Sequence, residues 1–129
     1  MRAALRDAGL ESHTIEYVNA HATGTPVGDT AEASAIRRVV PHAKVSSIKG
    51  AVGHTIAAAG AIEAAACVAA LERGFLPGTA GLQTVDPQMG VDVVRRPIAH
   101  APEVVMSNSF GFGGQNASLI FGRAEVQHG

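Results

Sequence analysis

The stretch that most constrains this chain runs from Val104 to Gly122, VVMSNSFGFGGQNASLIFG. Two apolar segments, Val104–Met106 and Leu119–Phe121, flank a glycine-rich turn carrying Ser107, Asn108, Ser109, Gln115 and Asn116. The pattern predicts a strand, a tight loop and a returning strand. Gly111, Gly113 and Gly114 permit backbone angles and close approaches that a side chain would block. Phe110 and Phe112 sit among them. A large ring on such a turn can serve as a plug or gate, and the turn's N–H groups can face an oxygen. The plainer alternative is an ordinary hairpin whose aromatics pack in a core.

The rest of the chain must cover that unit with little material. Its 129 residues suffice for one domain of modest core. A formal charge of −1 argues against a nucleic-acid partner. Only 16% of residues are charged and 47% are apolar, which predicts that part of the surface is covered by a partner. The one cysteine, Cys67, excludes an intrachain disulfide and fits a reducing, cytoplasmic compartment. No signal-peptide pattern opens the chain. The longest apolar stretch, Ala57–Leu71, is interrupted by Glu63 and is too short for a membrane span.

Met1–Leu10 reads as a short helix ended by Gly9, with no leading strand, as in a chain cut from something longer. Ile15–His21 reads as a strand with Ile15, Tyr17, Asn19 and His21 on one side and Val18 and Ala20 on the other. It ends at the turn ATGTP. Asp29–Val40 reads as a helix, with Asp29 as N-cap, Glu32 completing a capping-box-like pair, and Pro41 as the stop. Val45–Ile48 is a short strand leading to Lys49, and a turn over Gly50–Gly53 precedes His54. Thr55–Gly74 reads as one long helix, apolar nearly all round and therefore buried or sandwiched. Leu76–Pro87 reads as loop, Val91–Val94 as a short strand, Arg95–Pro102 as a connection, and Arg123–Gly129 as a frayed tail. This order predicts an α/β fold, a mixed sheet covered by helices.

The polar residues that stand out are few. His21 lies at a strand end beside Thr23 and Thr25. His54 follows a glycine-containing turn and opens a helix, whose N-terminus favours a neutral imidazole. A neutral histidine in either place donates one N–H to an oxygen; the alternative is two unrelated histidines. Lys49 is five residues before His54. Glu63, alone in an apolar helix, needs a partner, and Lys49 is the candidate if the helix folds back over it. The alternative leaves both charges solvated. Helix capping accounts for Asp29 and Glu32 without catalysis. Cys67, among Ala and Val, reads as an inert packed thiol. His13, His21, His42, His54, His100 and His128 share no metal-ligand spacing, and GAVGHTIAAAG lacks the GK[ST] of a phosphate loop.

Three segments carry a resemblance: VNAHATGTPVGD (Val18–Asp29), SSIKGAVGH (Ser46–His54) and NSFGFGGQNASLIF (Asn108–Phe121). Together and in this order they resemble the signatures of the β-ketoacyl-acyl-carrier-protein synthases, condensing enzymes of the thiolase superfamily. The resemblance covers nearly the whole chain and is to the C-terminal half of these two-half enzymes. It implies a thiolase-like half-domain over residues 1–129, with the N-terminal domain that bears the nucleophilic cysteine absent; Cys67 does not match that cysteine. It implies that His21 and His54 are the two catalytic histidines, that Lys49 tunes the second, and that Glu63 pairs with Lys49. Asp29 and Glu32 match supporting acids, and Thr23 and Thr25 match threonines along the pantetheine arm. Phe112 matches a gating phenylalanine whose N–H contributes to an oxyanion hole, between Gly111 and Gly113. Ala22 departs from a common Gly, Gly24 from a common Ser and Gln115 from a common Thr.

The implied reaction is decarboxylative condensation of an acyl thioester with malonyl-acyl-carrier protein, in fatty acid or polyketide synthesis. No cofactor is implied beyond the phosphopantetheine that the carrier brings. The implied partners are the acyl carrier protein, a Cys-bearing half whose central helix packs on this one, and a second protomer in a dimer. The alternative reading is a non-catalytic partner of chain-length-factor type, or an inactive truncated fragment.

Overall fold

The computed structural model describes residues 1–124; the tail expectation beyond them, and His128, lie outside the described residues. The chain runs α1 (Arg2–Ala8), β1 (Tyr17–Asn19), α2 (Pro26–Val39), β2 (Lys44–Ser46), a single helical turn α3 (Lys49–Val52), α4 (Ala59–Arg73), β3 (Phe75–Leu76), β4 (Asp92–Val93), β5 (Ile98–Ala99), β6 (Val104–Phe110) and β7 (Asn116–Gly122). Five strands form one sheet in the order β4-β2-β1-β6-β7. The first four are parallel, and β7 returns antiparallel on β6. The sheet is mixed, as the sequence predicts.

Alternation along the central strands builds two cores. Val18, Val45 and Met106 face Leu5 of α1 and Ile36 of α2. Tyr17 and Val105 face Cys67 and Leu71 of α4. The sheet therefore lies between a layer of α1 and α2 on one face and α4 on the other. Being covered on both faces, β1 buries all three of its residues.

Several boundaries differ from expectation. The first strand is shorter than Ile15–His21, although backbone bonds from Glu16 N–H to Val104 and from Ala20 N–H to Ser46 prolong its pairing at both ends. Helix α2 starts three residues before Asp29: Thr25 is its N-cap residue and Pro26 takes the first turn. Proline suits that position because its missing N–H would find no partner there. Asp29 and Glu32 thus lie inside the helix and form no capping box. Gly50–Val52 belong to the helical turn α3 rather than to an open turn, with Gly53 as its C-cap, and a Cβ on Gly50 would meet the Ala80 carbonyl at 2.1 Å. A 3-10 turn, Ile56–Ala58, separates His54 from α4, so His54 does not open the long helix.

Helix α4 is covered on one face only. Glu63, Cys67, Ala70 and Leu71 are buried, while Ala61, Ala65 and Val68 are exposed. Two-residue strands β3 and β5 pair antiparallel where loop was expected. The final hairpin is longer than its apolar segments: Ser107, Asn108 and Ser109 belong to β6, and the turn narrows to residues 111–115. Gly113 and Gly114, at φ 75 and 80, make that turn.

Candidate functional site at the carboxyl edge of the sheet

Three adjacent parallel strands, β2, β1 and β6, end at one edge of the sheet, so residues that follow their carboxyl ends meet there. His21 comes two residues after β1. Lys49 and His54 follow β2. Ser109 and Phe110 end β6. The His21 and His54 rings lie with centroids 5.6 Å apart and planes at 89°. Phe110 packs near His21, centroid to centroid 6.0 Å.

Lys49 and Glu63 form an ion pair with side chains 7% and 2% exposed. Helix α4 packs on the sheet through Cys67 and Leu71, and Glu63, one turn before Cys67 on the same face, reaches Lys49. The Ser109 hydroxyl donates to the other Glu63 oxygen at 3.4 Å. Removal from water is costly for both charges, and each is the other's compensation.

Each histidine has a distinct setting. The Ile56 N–H donates to His54 Nδ1 at 3.1 Å. In the neutral ring this leaves the proton on Nε2, which becomes the available donor. This contact, rather than a helix N-terminus, sets the ring's polarity. Ile56 holds φ 53, a left-handed conformation uncommon in a β-branched residue. Burial lowers the pKa of His21 below its ordinary value, and the Lys49 ammonium lowers it further. His21 is therefore biased towards the neutral form. Its Nδ1 is buried with no protein partner among the described residues.

Glu32 departs from its reading as a capping residue. It points from α2 to the end of β1 and accepts the backbone N–H groups of His21 at 2.9 Å and Ala22 at 2.8 Å. Asn108 Nδ2 donates to it at 3.1 Å. Burial raises its pKa, and these three donors oppose the rise. The loop it holds is strained, since Ala22 sits at φ 29, on the side of the φ map that glycine tolerates better. That conformation gives a physical reason for the glycine implied at this position by the resemblance. Asp29 accepts the Gly24 N–H at 3.2 Å.

The remaining candidates lie farther out. Thr23 and Thr25 hydroxyls are 3.3 Å apart on the exposed loop after His21. Phe112 is fully exposed at the hairpin tip, so it is not part of a core within these residues. Gly111 N–H is taken by the Gln115 carbonyl at 2.9 Å. Cys67 lies under the sheet at 0% exposure, and burial pushes its thiol pKa up to about 12. No group of three or more metal-ligating side chains occurs among the described residues. No helix among them is long and apolar enough to cross a membrane.

The sequence alone does not mark Asn108 as a site residue. Its place beside a glycine-rich turn gave it the look of a turn residue, and only a strict period of two carried through Ser107 to Phe110 marks it as facing α2.

Comparison with known proteins gives concordant results. Residues 1–83 match the family described as "Beta-ketoacyl synthase, C-terminal domain". The chain is 45% identical over 130 residues to 3-oxoacyl-[acyl-carrier-protein] synthase 2 of Vibrio cholerae, covering 95% of this chain and 31% of that protein. Among solved structures it resembles a β-ketoacyl synthase from Burkholderia phymatum, with a TM-score of 0.93 and 44% identity over 97% of this chain and 31% of the other. It also resembles the ishigamide ketosynthase/chain length factor, with a TM-score of 0.93 and 38% identity over 96% of this chain and 32% of the other. The chain thus spans about a third of the length of the relatives it matches.

Proposed function

The chain belongs to the β-ketoacyl synthase family, in its C-terminal domain, and on that premise we propose that these residues form one half of a condensing site and do no chemistry alone. The domain is of the general ketosynthase or chain-length-factor type. The better-supported reading is that of a unit non-catalytic by itself, whether a chain-length-factor-like partner or a half completed by another. One observation carries it: Cys67, the single cysteine, is buried with its thiol pKa at about 12. A thiol in that state supplies almost no thiolate at neutral pH.

The fuller reading assigns this chain the histidine half of a decarboxylative condensation. The juxtaposed His21 and His54 rings and the His54 polarity support it. Loss of carbon dioxide from a malonyl thioester moves the electron pair of the breaking C–C bond into an enolate. Two neutral imidazole N–H donors aimed at the thioester oxygen stabilise that developing charge. The enolate carbon then attacks an acyl thioester on a cysteine outside these residues, and the cysteine thiolate leaves. Burial chiefly favours the neutral form of His21; the Lys49 ammonium adds to it, and the paired Glu63 carboxylate opposes it. Phe112, between Gly111 and Gly113, is assigned to the entrance as gate and N–H donor.

Thr23 and Thr25 are assigned to the phosphopantetheine arm of an acyl carrier protein, in keeping with the carrier named for the Vibrio relative. The proposed assembly adds an N-terminal, cysteine-bearing domain and a second protomer, in the cytoplasm.

The test is carbon dioxide release from malonyl-carrier by the assembled enzyme. His21→Ala and His54→Ala are each expected to slow it on the order of a hundredfold or more, the usual loss for one oxyanion donor. Wild-type release in both variants would leave the non-catalytic partner reading.

A further inference from the structure

Two consecutive residues of β6 reach two buried carboxylates on opposite faces of the sheet. Ser109 meets Glu63 of α4, and Asn108 meets Glu32 of α2. The Asn108 contact is the more completely built. Its carboxamide is wholly buried, donates through Nδ2 to Glu32 at 3.1 Å, and accepts through Oδ1 from the Ser118 hydroxyl of β7 at 2.8 Å. A carboxylate offers only acceptors, so the amide nitrogen must be the atom facing Glu32. Ser118 lies directly opposite Asn108 in the hairpin register. A continuous path therefore runs from β7 through Asn108 and Glu32 to the N–H groups of His21 and Ala22.

We propose that Asn108 is a positioning residue: through Glu32 it holds the backbone of the His21–Ala22 loop, and with it the His21 ring, at the sheet edge. The proposal rests on the assignment of His21 as a catalytic donor. Glu32 uses one oxygen for two donors, the His21 N–H and Asn108 Nδ2, and its other oxygen for the Ala22 N–H. Without the Asn108 donor the carboxylate is held only by the two loop amides it is meant to fix, and its terminal torsion, which has broad wells, can turn together with that loop. The carboxylate then no longer presents both oxygens steadily to the adjacent amides. Ala22 has reason to relax, because φ 29 is uncomfortable for any residue with a Cβ. Ring and backbone of His21 would shift together, and an error of about an ångström is costly where donors must meet a developing charge.

The groups facing Glu32 define the experiment. They are the His21 and Ala22 amides at the end of β1, the Asn108 amide on β6, the Lys49 ammonium beyond the end of β2, and Asp29 one turn earlier on the same helix. Met1 Sδ lies 3.7 Å from Asn108 Nδ2, and the Met1 α-ammonium, the charged group on the β7 side of the network, donates to Ser118 Oγ at 2.9 Å. Asn108→Leu removes donor and acceptor while keeping the branched heavy-atom skeleton, though not the planarity or volume. Asn108→Asp keeps the shape and places a second carboxyl against Glu32. At neutral pH two carboxylates this close repel, whereas one shared proton restores a donor.

Amide hydrogen exchange of His21 and Ala22, followed by NMR in the 129-residue chain, reads the bracket directly. Asn108→Leu is expected to speed exchange at both by on the order of tenfold, with Val105 unchanged, as for a lost bond to a charged acceptor. Asn108→Asp is expected to show the same loss at pH 7 and to regain protection towards pH 5. Unchanged exchange at His21 and Ala22 in the Asp variant, or a loss that does not respond to pH, overturns the proposal; the Asp variant decides it even if the Leu variant fails to fold. In the assembled enzyme, decarboxylation by Asn108→Asp should recover over the same pH interval relative to wild type. Lost protection with undiminished decarboxylation would uphold the bracket and overturn the catalytic reading of His21.

Discussion

The buried ion pair of Lys49 and Glu63 decides how much of this site is held by charge. Both side chains are almost wholly out of water, and a stranded partner would keep its desolvation cost without its compensation. Glu63→Gln is therefore expected to destabilise the fold by about 3–5 kcal/mol, the usual cost of breaking a buried pair from one side. Chemical denaturation with an unchanged slope against denaturant measures it; a change within about 0.5 kcal/mol would mean the ammonium finds water or another acceptor. This pair was legible in the sequence, because one carboxylate in an apolar helix demands a cation, and a helix folding back over the preceding strand end puts Lys49 within its reach. Asn108 was not, because its partner Glu32 is 76 positions away and reads equally well as a capping residue. A side chain with two plausible local uses gives no signal of a third, distant one.

At the scale of elements, helix α4 shows why an apolar pattern underdetermines packing. Its composition calls for burial all round, yet only the Glu63–Cys67–Leu71 face meets the sheet. The opposite stripe of Ala61, Ala65 and Val68, spaced four and three residues apart, is exposed, with Ile56 in the turn before it. Small residues on a stripe let another helix approach closely. The Cys-bearing half is the proposed occupant, since the matched relatives are about three times longer and the family resemblance implies packing of central helices. Ala65→Arg should leave the melting temperature of the chain alone nearly unchanged, because an exposed helical position tolerates arginine well. It should abolish binding to that half, measured by light scattering of the mixture. Binding within threefold of wild type would exclude this face from the contact. Helices and parallel strands were readable from period and stops. The start of α2, the 3-10 turn before α4 and the pairs β3 and β5 were not, because proline at a first turn and two-residue ladders leave almost no periodic trace.

For the whole molecule, the proposed separation of donors from nucleophile carries an expectation for what the 129 residues do alone. Condensation needs a thiolate that attacks an acyl thioester and later leaves. Cys67 meets neither requirement: it is packed between α4 and the sheet, its Sγ 3.9 Å from the Met106 carbonyl, with the Glu63 carboxylate near enough to oppose ionisation further. The carboxyl edge of the sheet, by contrast, presents two histidines, a supported lysine and a threonine-bearing loop, a set suited to binding and polarising a thioester. Expressed alone, the chain is expected to take no label from an acyl thioester or from a cerulenin-like epoxide, read by intact mass at neutral pH. Mixed with a cysteine-bearing N-terminal half, it should gain stability by mass action and the label should appear on the partner's polypeptide. Denaturing the chain should make Cys67 reactive towards a simple thiol reagent, which shows that burial and not chemistry had silenced it. Stoichiometric labelling of Cys67 in the folded chain, accompanied by turnover of the thioester, would overturn the division of labour between the halves, because a buried thiol would then have found a route to the surface that the packing of α4 against β6 does not provide.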